Sequence, residues 1–333
     1  MSQSGLPCFS LPLPDLDRPV DDLVVLRTIA GGEDLLTNLD VINRSPGRVV
    51  CRVRGNLQQL HALRLFTSLA VPLTDLAAVR RSVARGVISA LRCDAPLRFR
   101  IDPGTPGGEV LRLALVAEFG WIEDPGDWVI NFVSSSTGWE AEVGPFHWSR
   151  RFGRLERLPW STKPVVAEIL ARLAKIQPGD RVLDPFCGTA TLLLAADRLG
   201  GEVALFGSDH DPSAIALARA NLAQYGVGAR VRLASAERLE HADRSIDRVL
   251  ANLPFGRLVG SHAANERLYP AALQEIARVL TPAGRAVLLT DDKRLFRASV
   301  ERTPGLKIVR ERALSYSGVT PTAFCLTRIR PRR

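Results

Sequence analysis

An apolar strand pattern at residues 246–250 is followed by Asn252, Leu253, Pro254 and Phe255. Together these four residues could hold a planar ring that carries an amine. The side-chain oxygen of Asn252 and the backbone carbonyl of Leu253 can both accept hydrogen bonds from one exocyclic NH2 group. Pro254 removes a competing backbone donor and restricts the chain, and Phe255 offers a flat surface on which a base can stack. The motif predicts a binding site for a ring amine.

A second motif lies upstream at residues 184–191, with the sequence Asp-Pro-Phe-Cys-Gly-Thr-Ala-Thr. Asp184 ends a predicted strand, and Gly188 begins the turn into a helix, where a small residue lets a cofactor approach the first amides. Asp209 ends the next predicted strand and can accept both hydroxyls of a ribose. Asp211 is close enough to compete for that role, but we favour Asp209. The pattern predicts a nucleoside cofactor.

The acid at the end of the first strand separates two classes of cofactor. Asp184 suits the positive amino group of a methionine moiety, whereas it would repel the pyrophosphate of a nicotinamide dinucleotide. The loop also lacks the G-x-G-x-x-G pattern of dinucleotide sites. The sequence therefore favours S-adenosylmethionine over a nicotinamide cofactor, and the two motifs together predict transfer of a methyl group to a ring amine.

Other residues near these motifs have smaller predicted roles. Phe186 lies inside the cofactor loop and is included in the candidate site, and His210 lies between the two acids, where it could contact a ligand or face solvent. Cys187 has no His or Lys neighbour in the sequence and is interpreted as a small turn residue. The histidines have no ligand-like spacing and no C-x-x-C pair occurs, so we expect no metal site.

Strand and helix patterns alternate through residues 181–333, which is typical of a mostly parallel sheet with helices on both faces. The predicted parallel strands are 181–184, 203–208, 231–234, 246–251 and 286–290, and an antiparallel pair follows at 307–312 and 322–328. The predicted helices are 164–175, 189–199, 212–225, 269–280 and 293–302. The predicted fold class is α/β, with a Rossmann-like sheet whose last strand is antiparallel.

The first half of the chain reads as an α+β module instead, because short apolar runs alternate with helix-like stretches from about residue 21 to 144. Strands are predicted at 49–54, 97–101, 110–119 and 128–133, and helices at 57–69 and 76–91. Residues 1–18 are Pro-rich and predicted to be flexible, and residues 146–160 are predicted to be a linker.

The chain of 333 residues has a net charge of +9, which suggests a polyanionic partner. The charge is uneven: residues 1–150 carry −2 and residues 151–333 carry +11. No run of about 18 apolar residues occurs, so we expect no membrane span. The five scattered cysteines and the absence of a signal-peptide pattern favour the cytoplasm. We expect a monomer or a weak dimer.

Several further segments strengthen the pattern. They are Ser161-Thr162-Lys163-Pro164, Gly207-Ser208-Asp209-His210-Asp211, the residues 257–261, Asn265-Glu266-Arg267-Leu268-Tyr269-Pro270 and the residues 278–285. With the two motifs they span nearly all of residues 155–333, and this half resembles the THUMP-domain tRNA guanine-N2 methyltransferases. It is most similar to the branch that modifies guanosine 6 of the acceptor stem.

This resemblance implies a substrate, a set of domains and further site residues. The substrate would be tRNA. Ser161 would lie near the methionine end of the cofactor, and Ala236 and Glu237 near its adenine. The implied domains are a ferredoxin-like domain at 19–72, a reduced THUMP-like RNA-binding domain at 73–145 and a methyltransferase domain at 161–333. Two positions differ from the family pattern: Ala190 replaces a usual glycine and Ser235 a common aspartate.

Two alternatives stay open at this point. The Asn-x-Pro-aromatic motif also serves adenine, so a methyltransferase acting on amines of ribosomal RNA or DNA bases fits the second half of the chain. The substitutions at Ala190 and Ser235 would also fit a non-catalytic RNA-binding protein that keeps the fold.

Overall fold

The computed structural model describes residues 14–91, 95–255 and 261–329. The predicted flexible residues 1–13, Gly256 to Gly260 and the Arg-rich end at 330–333 lie outside the described residues. The chain divides into two compact units, one formed by residues 1–28 and 36–153 and the other by residues 29–35 and 154–333. None of the helices in the described ranges is both long and apolar enough to cross a membrane.

The first unit contains one eight-stranded mixed sheet with the spatial order β2-β3-β1-β4-β8-β7-β5-β6. Its strands are β1 (Val20–Arg27), β2 (Asp40–Ser45), β3 (Arg48–Gly55), β4 (Ser68–Leu73), β5 (Arg98–Ile101), β6 (Ile122–Glu123), β7 (Ile130–Ser135) and β8 (Gly138–Val143). β4 pairs with β8, so this sheet continues across the predicted boundary between residues 72 and 73. The division into a ferredoxin-like and a THUMP-like domain stays a prediction.

Short helices complete the first unit. They are α1 (Gln58–Ala62), α2 (Leu76–Arg85), α3 (Gly108–Phe119) and α4 (Trp148–Arg151), with 3-10 turns at Val87–Leu91 and Gly144–Phe146. The predicted strand at 110–119 is wrong, because this segment is α3. Leu111 and Leu115 form its buried face, while Val110 and Leu113 are exposed, so apolar residues on both sides hid the helical period. The helix predicted at 57–69 is also too long, because β4 begins at Ser68.

The second unit contains a seven-stranded sheet with the order β11-β10-β9-β12-β13-β15-β14. Its strands are β9 (Arg181–Asp184), β10 (Ala204–Asp209), β11 (Ala229–Leu233), β12 (Ile246–Asn252), β13 (Leu280–Thr290), β14 (Leu306–Ala313) and β15 (Thr322–Arg328). The first five pair in parallel, and β15 runs antiparallel to both β13 and β14. The predicted α/β fold class with an antiparallel last strand is confirmed.

Helices pack against both faces of this sheet. They are α5 (Pro164–Ala174), α6 (Thr191–Gly200), α7 (Pro212–Gln224), α8 (His262–Val279) and α9 (Lys293–Glu301). Consecutive residues of β10 show the two faces: a Cβ at Gly207 would lie 2.9 Å from Leu193 of α6, whereas Phe206 packs on the cluster that contains Tyr269 and Phe296 of α8 and α9. α8 begins earlier than predicted, because Ser261 caps it by accepting a hydrogen bond from the Ala264 amide at 3.1 Å.

Residues 29–35 join the second unit although they precede the first sheet's second strand. The Ser315 amide donates to the Ala30 carbonyl at 2.9 Å, and the Arg312 guanidinium bonds the Asp34 carboxylate at 2.7 Å. Gly31 has φ +95°, and a Cβ there would lie 2.0 Å from the Ala313 carbonyl oxygen. Only glycine fits this close approach of two backbones.

Candidate active site

The turn between β9 and α6 is built from backbone hydrogen bonds that connect it to β10. The Cys187 amide donates to the Ser208 carbonyl at 2.9 Å, and the Gly188 amide donates to Asp209 Oδ2 at 2.9 Å. Gly188 has φ +50°, and no heavy atom lies within 4 Å of the position that a Cβ would take. The turn therefore leaves open space directly beside an acid at the end of a strand.

Ala190, which departs from the family pattern, sits in a left-handed conformation with φ +67° just before α6. This region favours glycine, and a side chain there costs about 1–2 kcal/mol. Its methyl group is fully buried, so packing offsets part of that cost. The loop keeps the turn that glycine would supply more easily.

Asp184 lies at the end of β9 and is completely buried. Its Oδ1 accepts the Phe186 amide at 3.0 Å, while Oδ2 has no hydrogen-bond partner among the described residues. Burial, with a smaller contribution from the charge of Asp209, raises the pKa of the Asp184 carboxyl well above its usual value. Oδ2 is the atom that remains for a cationic group, and a ligand reaches it only if the turn shifts.

Asp209 ends β10 and is partly exposed, as a ligand contact requires. Besides the Gly188 bond, its Oδ1 accepts the Asp211 amide at 3.1 Å, and the His210 Nδ1 lies 3.3 Å from the same oxygen. Asp211 is occupied as the cap of α7, where it accepts the Ser213 amide at 2.8 Å. The His210 side chain is 77% exposed. Asp209 thus accepts a backbone amide on each oxygen, while Asp211 uses Oδ1, and the preference for Asp209 as the ribose contact stays a prediction.

Ser161 is held against the same turn from the other side. Its hydroxyl accepts the Leu158 amide at 2.9 Å and lies 3.1 Å from the Thr189 hydroxyl. Asn221 of α7 supports the arrangement, because its side-chain NH2 donates to the Thr189 and Glu156 carbonyls at 2.9 Å each. The segment before α5 is therefore in direct contact with the turn after β9.

Asn252, the last residue of β12, has its carboxamide oriented by the neighbour of Ser161. Its NH2 donates to the Thr162 hydroxyl at 3.0 Å, which leaves Oδ1 as the acceptor on the opposite side. Oδ1 is shielded from solvent and has no partner within the described part of the chain. A donor from outside would satisfy it after the groups around it move.

The residues after Asn252 are fixed by the surrounding elements. The Leu253 amide donates to the Leu289 carbonyl at 2.9 Å. The Pro254 carbonyl accepts from the Asn265 side chain at 2.8 Å and from the Tyr269 hydroxyl at 2.7 Å. Phe255 is partly exposed. The loop is thus anchored at its middle while its aromatic residue keeps an accessible surface.

Ala236 and Glu237 follow β11, on the other side of Asp209. The Ala234 amide donates to the Asp209 carbonyl at 3.0 Å, which brings the start of this loop to the end of β10. Ala236 is buried, and the Glu237 amide donates to the Ser235 hydroxyl at 3.2 Å. Their role near an adenine stays a prediction.

Hydrogen bonds and chain neighbours connect most of the predicted residues into one site. Asn252 contacts Thr162, the adjacent Ser161 contacts Thr189, and the adjacent Gly188 contacts Asp209. Sequence reasoning assigned no role to Thr162, Thr189, Asn265 or Tyr269, although all four lie in segments that belonged to the family resemblance. The residues predicted for a ring amine and those predicted for a nucleoside therefore lie close to one another.

The chemistry of this site does not depend on a cysteine nucleophile. Cys187 is buried, and burial raises the pKa of its thiol, so the reactive thiolate is disfavoured. Within the ranges described above, no group of three or more His, Cys, Asp or Glu side chains is arranged to hold a metal ion.

Comparison with known proteins identifies the setting of this site. Residues 154–321 match the UPF0020 family model, described as RMKL-like, methyltransferase domain. A tRNA (guanine(6)-N2)-methyltransferase of Thermus thermophilus is 36% identical over 183 residues, a match that covers 54% of this chain and 54% of the relative. A human tRNA (guanine(6)-N(2))-methyltransferase is 30% identical over 152 residues, which cover 41% of this chain and 30% of the relative.

The matched region thus spans about half of the first relative's length and less than a third of the second's. A likeness over more of the chain comes from the crystal structure of TrmN from Thermus thermophilus, with a TM-score of 0.73 and 27% identity. That comparison covers 92% of this chain and 99% of the other. Both halves of the chain therefore have a counterpart in a solved structure.

Proposed function

Because the chain belongs to the UPF0020 family of RMKL-like methyltransferase domains, we propose that it transfers a methyl group from S-adenosylmethionine to the exocyclic N2 of a guanosine in tRNA. Guanosine 6 of the acceptor stem is the favoured target, since the names of two relatives specify guanine 6. The proposal rests on relatives that are matched over part of their length and on the geometry of Asn252.

The observation that carries the proposal is the state of the Asn252 carboxamide. Its NH2 is used by Thr162, and its Oδ1 is buried without a partner among the residues that the structure describes. An unsatisfied buried acceptor costs about 1–3 kcal/mol, so such an atom is retained where a ligand supplies the donor. An amine hydrogen of a flipped base is a donor of the required kind.

The chemistry follows from what a guanine amine needs. Its lone pair is delocalised into the ring, so it is a poor nucleophile. Hydrogen bonds from the amine to Asn252 Oδ1 and to the Leu253 carbonyl favour the pyramidal nitrogen on which the lone pair is exposed. The acceptors also fix the direction of that lone pair, and alignment of this kind can supply about 7–11 kcal/mol of a barrier.

The residues around Gly188 fit the proposed cofactor. Asp209 at the end of β10 is available to ribose hydroxyls, the space beside Gly188 admits a ligand against the backbone, and the free Oδ2 of Asp184 is an acceptor for an ammonium group. When bound, S-adenosylmethionine supplies an electrophilic methyl group on a sulfonium sulfur. The protein's task is then to bring the amine held at Asn252 into line with it.

Phe255 has a separate role in taking up the base. A base within a helix must leave its stack to enter the site, which costs a few kcal/mol. Stacking on an aromatic side chain returns about 1–3 kcal/mol. Phe255 is partly exposed next to a backbone held by Asn265 and Tyr269, so its ring can offer that surface without reordering the loop.

The remaining assignments belong to the same proposal. tRNA is the partner, with the predicted THUMP-like residues 73–145 contributing contacts to its 3′ end and the basic second half contributing phosphate contacts. The proposed setting is the cytoplasm, and the proposed state is a monomer or a weak dimer.

A methylation assay tests the proposal directly. The full chain is incubated with methyl-labelled S-adenosylmethionine and tRNA, ribosomal RNA or duplex DNA, and the products are digested to nucleosides for mass spectrometry. We expect N2-methylguanosine from tRNA, and its loss when guanosine 6 is replaced by adenosine. Methylated adenosine, or a product from ribosomal RNA or DNA alone, would assign the site to another base, and absence of cofactor binding would favour a non-catalytic protein.

The role of Asn252 is tested by substitution. We expect Asn252→Ala to lower kcat by at least about a hundred-fold while the Kd for S-adenosylmethionine in calorimetry changes little, because one acceptor of the amine is lost. Asn252→Asp keeps an acceptor and should retain part of the activity. Asn43→Ala, at an exposed position of β2, is the matched control. Parallel loss of turnover and cofactor affinity in Asn252→Ala would contradict the assignment.

A further inference from the structure

Three side chains behind the loop at Asn252 form a connected hydrogen-bond group that no part of the proposed reaction requires. Tyr269, Asn265 and Thr290 are all at most 1% exposed. Two of them lie on α8 and the third ends β13, so they belong to elements on different sides of the loop. We name these three residues the Pro254 clamp.

The directions of the hydrogen bonds follow from counting protons. The Pro254 carbonyl can only accept, so the single hydroxyl proton of Tyr269 is used in the 2.7 Å bond to it. The Thr290 hydroxyl, 2.8 Å from the Tyr269 oxygen, must then donate to Tyr269. Thr290 in turn accepts the Asp292 amide at 3.0 Å. The chain of bonds therefore runs in one direction, from the start of α9 to Pro254.

A second donor occupies the remaining lone pair of the Pro254 carbonyl oxygen. The Asn265 NH2 bonds the Pro254 oxygen at 2.8 Å, so both lone pairs of that oxygen are occupied. A carbonyl with two buried donors cannot rotate without leaving both donors unpaired, which is unfavourable away from water. The peptide plane between Pro254 and Phe255 is thereby fixed, and with it the starting direction of the Phe255 side chain.

The two hydrogen bonds to the Pro254 carbonyl oxygen also restrict which backbone oxygen can bind the amine of a base. The amine of a base cannot bond an oxygen that already accepts two hydrogens, so the backbone acceptor beside Asn252 must be another carbonyl, and that of Leu253 is adjacent. From the buried bonds to Pro254 we infer that Tyr269 and Asn265, supported by Thr290, are positioning residues that hold Asn252 and Phe255 in register for the base. This inference rests on the proposed function.

The environment keeps the clamp in its donating form. Burial raises the pKa of the Tyr269 hydroxyl, so the phenol stays protonated throughout the neutral range. The aromatic ring is packed against Phe296, with the ring centroids 6.0 Å apart in an edge-on arrangement. Replacement of Tyr269 by phenylalanine therefore removes the donor while it preserves this packing.

The test combines kinetics with hydrogen exchange. Tyr269→Phe is expected to lower kcat about ten-fold, with the Kd for S-adenosylmethionine nearly unchanged, and to speed exchange in peptides that cover residues 250–255. Thr290→Val leaves the Tyr269–Pro254 bond in place and should have a smaller effect in the same direction. Asn265→Ala removes the second donor and repeats the test if Tyr269→Phe does not fold. Thr137→Val, at an exposed position of the turn between β7 and β8, is the control for Thr290→Val.

The outcomes separate this inference from the proposed function. A wild-type chain that binds S-adenosylmethionine but methylates no tRNA refutes the proposed function, while the exchange measurement still reports on the clamp. An active wild type whose Tyr269→Phe variant keeps both its kcat and its exchange rates within two-fold overturns the inference alone. A loss of kcat accompanied by an equal loss of cofactor affinity would also overturn it, because the effect would then not be confined to the loop.

Discussion

Single residues of this site are recognised by what they leave unsatisfied. Asn252 donates its NH2 to Thr162, and Asp184 accepts the Phe186 amide on Oδ1. Each side chain keeps one buried oxygen without a partner in the described ranges, Oδ1 of Asn252 and Oδ2 of Asp184. Stability alone does not favour such atoms, because the protein forgoes a hydrogen bond at each. In the proposed function, a ligand at the ends of β12 and β9 completes both.

The enclosed carboxyl of Asp184 predicts a specific dependence of stability on pH. Its pKa in the folded protein is raised, so above the ordinary value of about 3.9 the folded state binds more protons than the unfolded one. Stability is then lost as the pH rises from that value through the raised pKa. Asp184→Asn removes this loss. The free energy of unfolding of the variant, relative to that of the wild type, should therefore be higher at pH 7 than at pH 4.

Urea unfolding of both proteins at the two pH values checks this expectation. The exposed cap residue Asp75 of α2, replaced by asparagine, is a suitable control, because its bond to the Ala78 amide lowers rather than raises its pKa. If the difference in unfolding free energy between Asp184→Asn and wild type is the same at pH 4 and pH 7, the carboxyl is not held in its protonated form.

At the scale of elements, the site depends on strand ends that meet a segment from before the sheet. β9, β10 and β12 each end in a polar residue at the same edge, and the segment before α5 reaches both Thr189 and Asn252. Pro164 opens α5, and Lys163 before it is extended, with ψ 136°. Ser161 and Thr162 together therefore connect the turn after β9 to Asn252.

We expect this connection to control the orientation of Asn252. Thr162→Val keeps the shape of the side chain but removes the acceptor of the Asn252 NH2, so the carboxamide can rotate and kcat should fall about ten-fold. Thr162→Ser keeps the hydroxyl and should stay within about three-fold of wild type. Single-turnover kinetics with saturating cofactor measure both, and equal rates for the valine and serine variants would show that the hydroxyl is unimportant.

At the scale of the whole molecule, the net charge should affect the binding of the two proposed ligands differently. Residues 151–333 carry +11 and residues 1–150 carry −2. Internal pairs such as Arg278 with Glu275 and Arg297 with Glu311 neutralise only part of the basic excess. A polyanion responds to that excess through many phosphates, whereas a small zwitterionic cofactor does not.

Salt should consequently weaken tRNA binding and leave cofactor binding nearly intact. Between about 50 and 200 mM salt, release of counterions from a few phosphate contacts lowers affinity by about ten-fold or more. Filter binding of tRNA and calorimetry of S-adenosylmethionine in the same buffers measure the two. Comparable salt dependence for both ligands would argue against phosphate contacts as the main source of tRNA affinity.

The sequence predicted the second unit better than the first for a physical reason. Parallel strands buried on both faces form short apolar runs that end in polar residues, so β9, β10 and β12 and their terminal Asp184, Asp209 and Asn252 were found. In the first unit, exposed apolar residues of α3 obscured its period. Chain order also hid the membership of residues 29–35 in the second unit.

The roles of individual side chains were predictable only where local sequence determines them. Gly188 was recognised as a turn residue from its neighbours, whereas Asp211 was considered only for the ribose and its role as the cap of α7 came from the structure. Thr162 and Tyr269 act on residues 90 and 15 positions away, respectively, through contacts that exist only once the sheet has formed. Contacts between such distant residues cannot be predicted from sequence periodicity, so the roles of Thr162 and Tyr269 were found only from the three-dimensional structure.

The passage of residues 29–35 into the second unit has a consequence for how the protein is made. During synthesis this segment leaves the ribosome well before its partner Arg312, which lies 281 residues after Gly31. Domains generally fold as they are synthesised, from the N-terminus onward. The first unit can therefore fold before residues 29–35 have found their partners, and the second unit is completed only after the segment around Arg312 has left the ribosome.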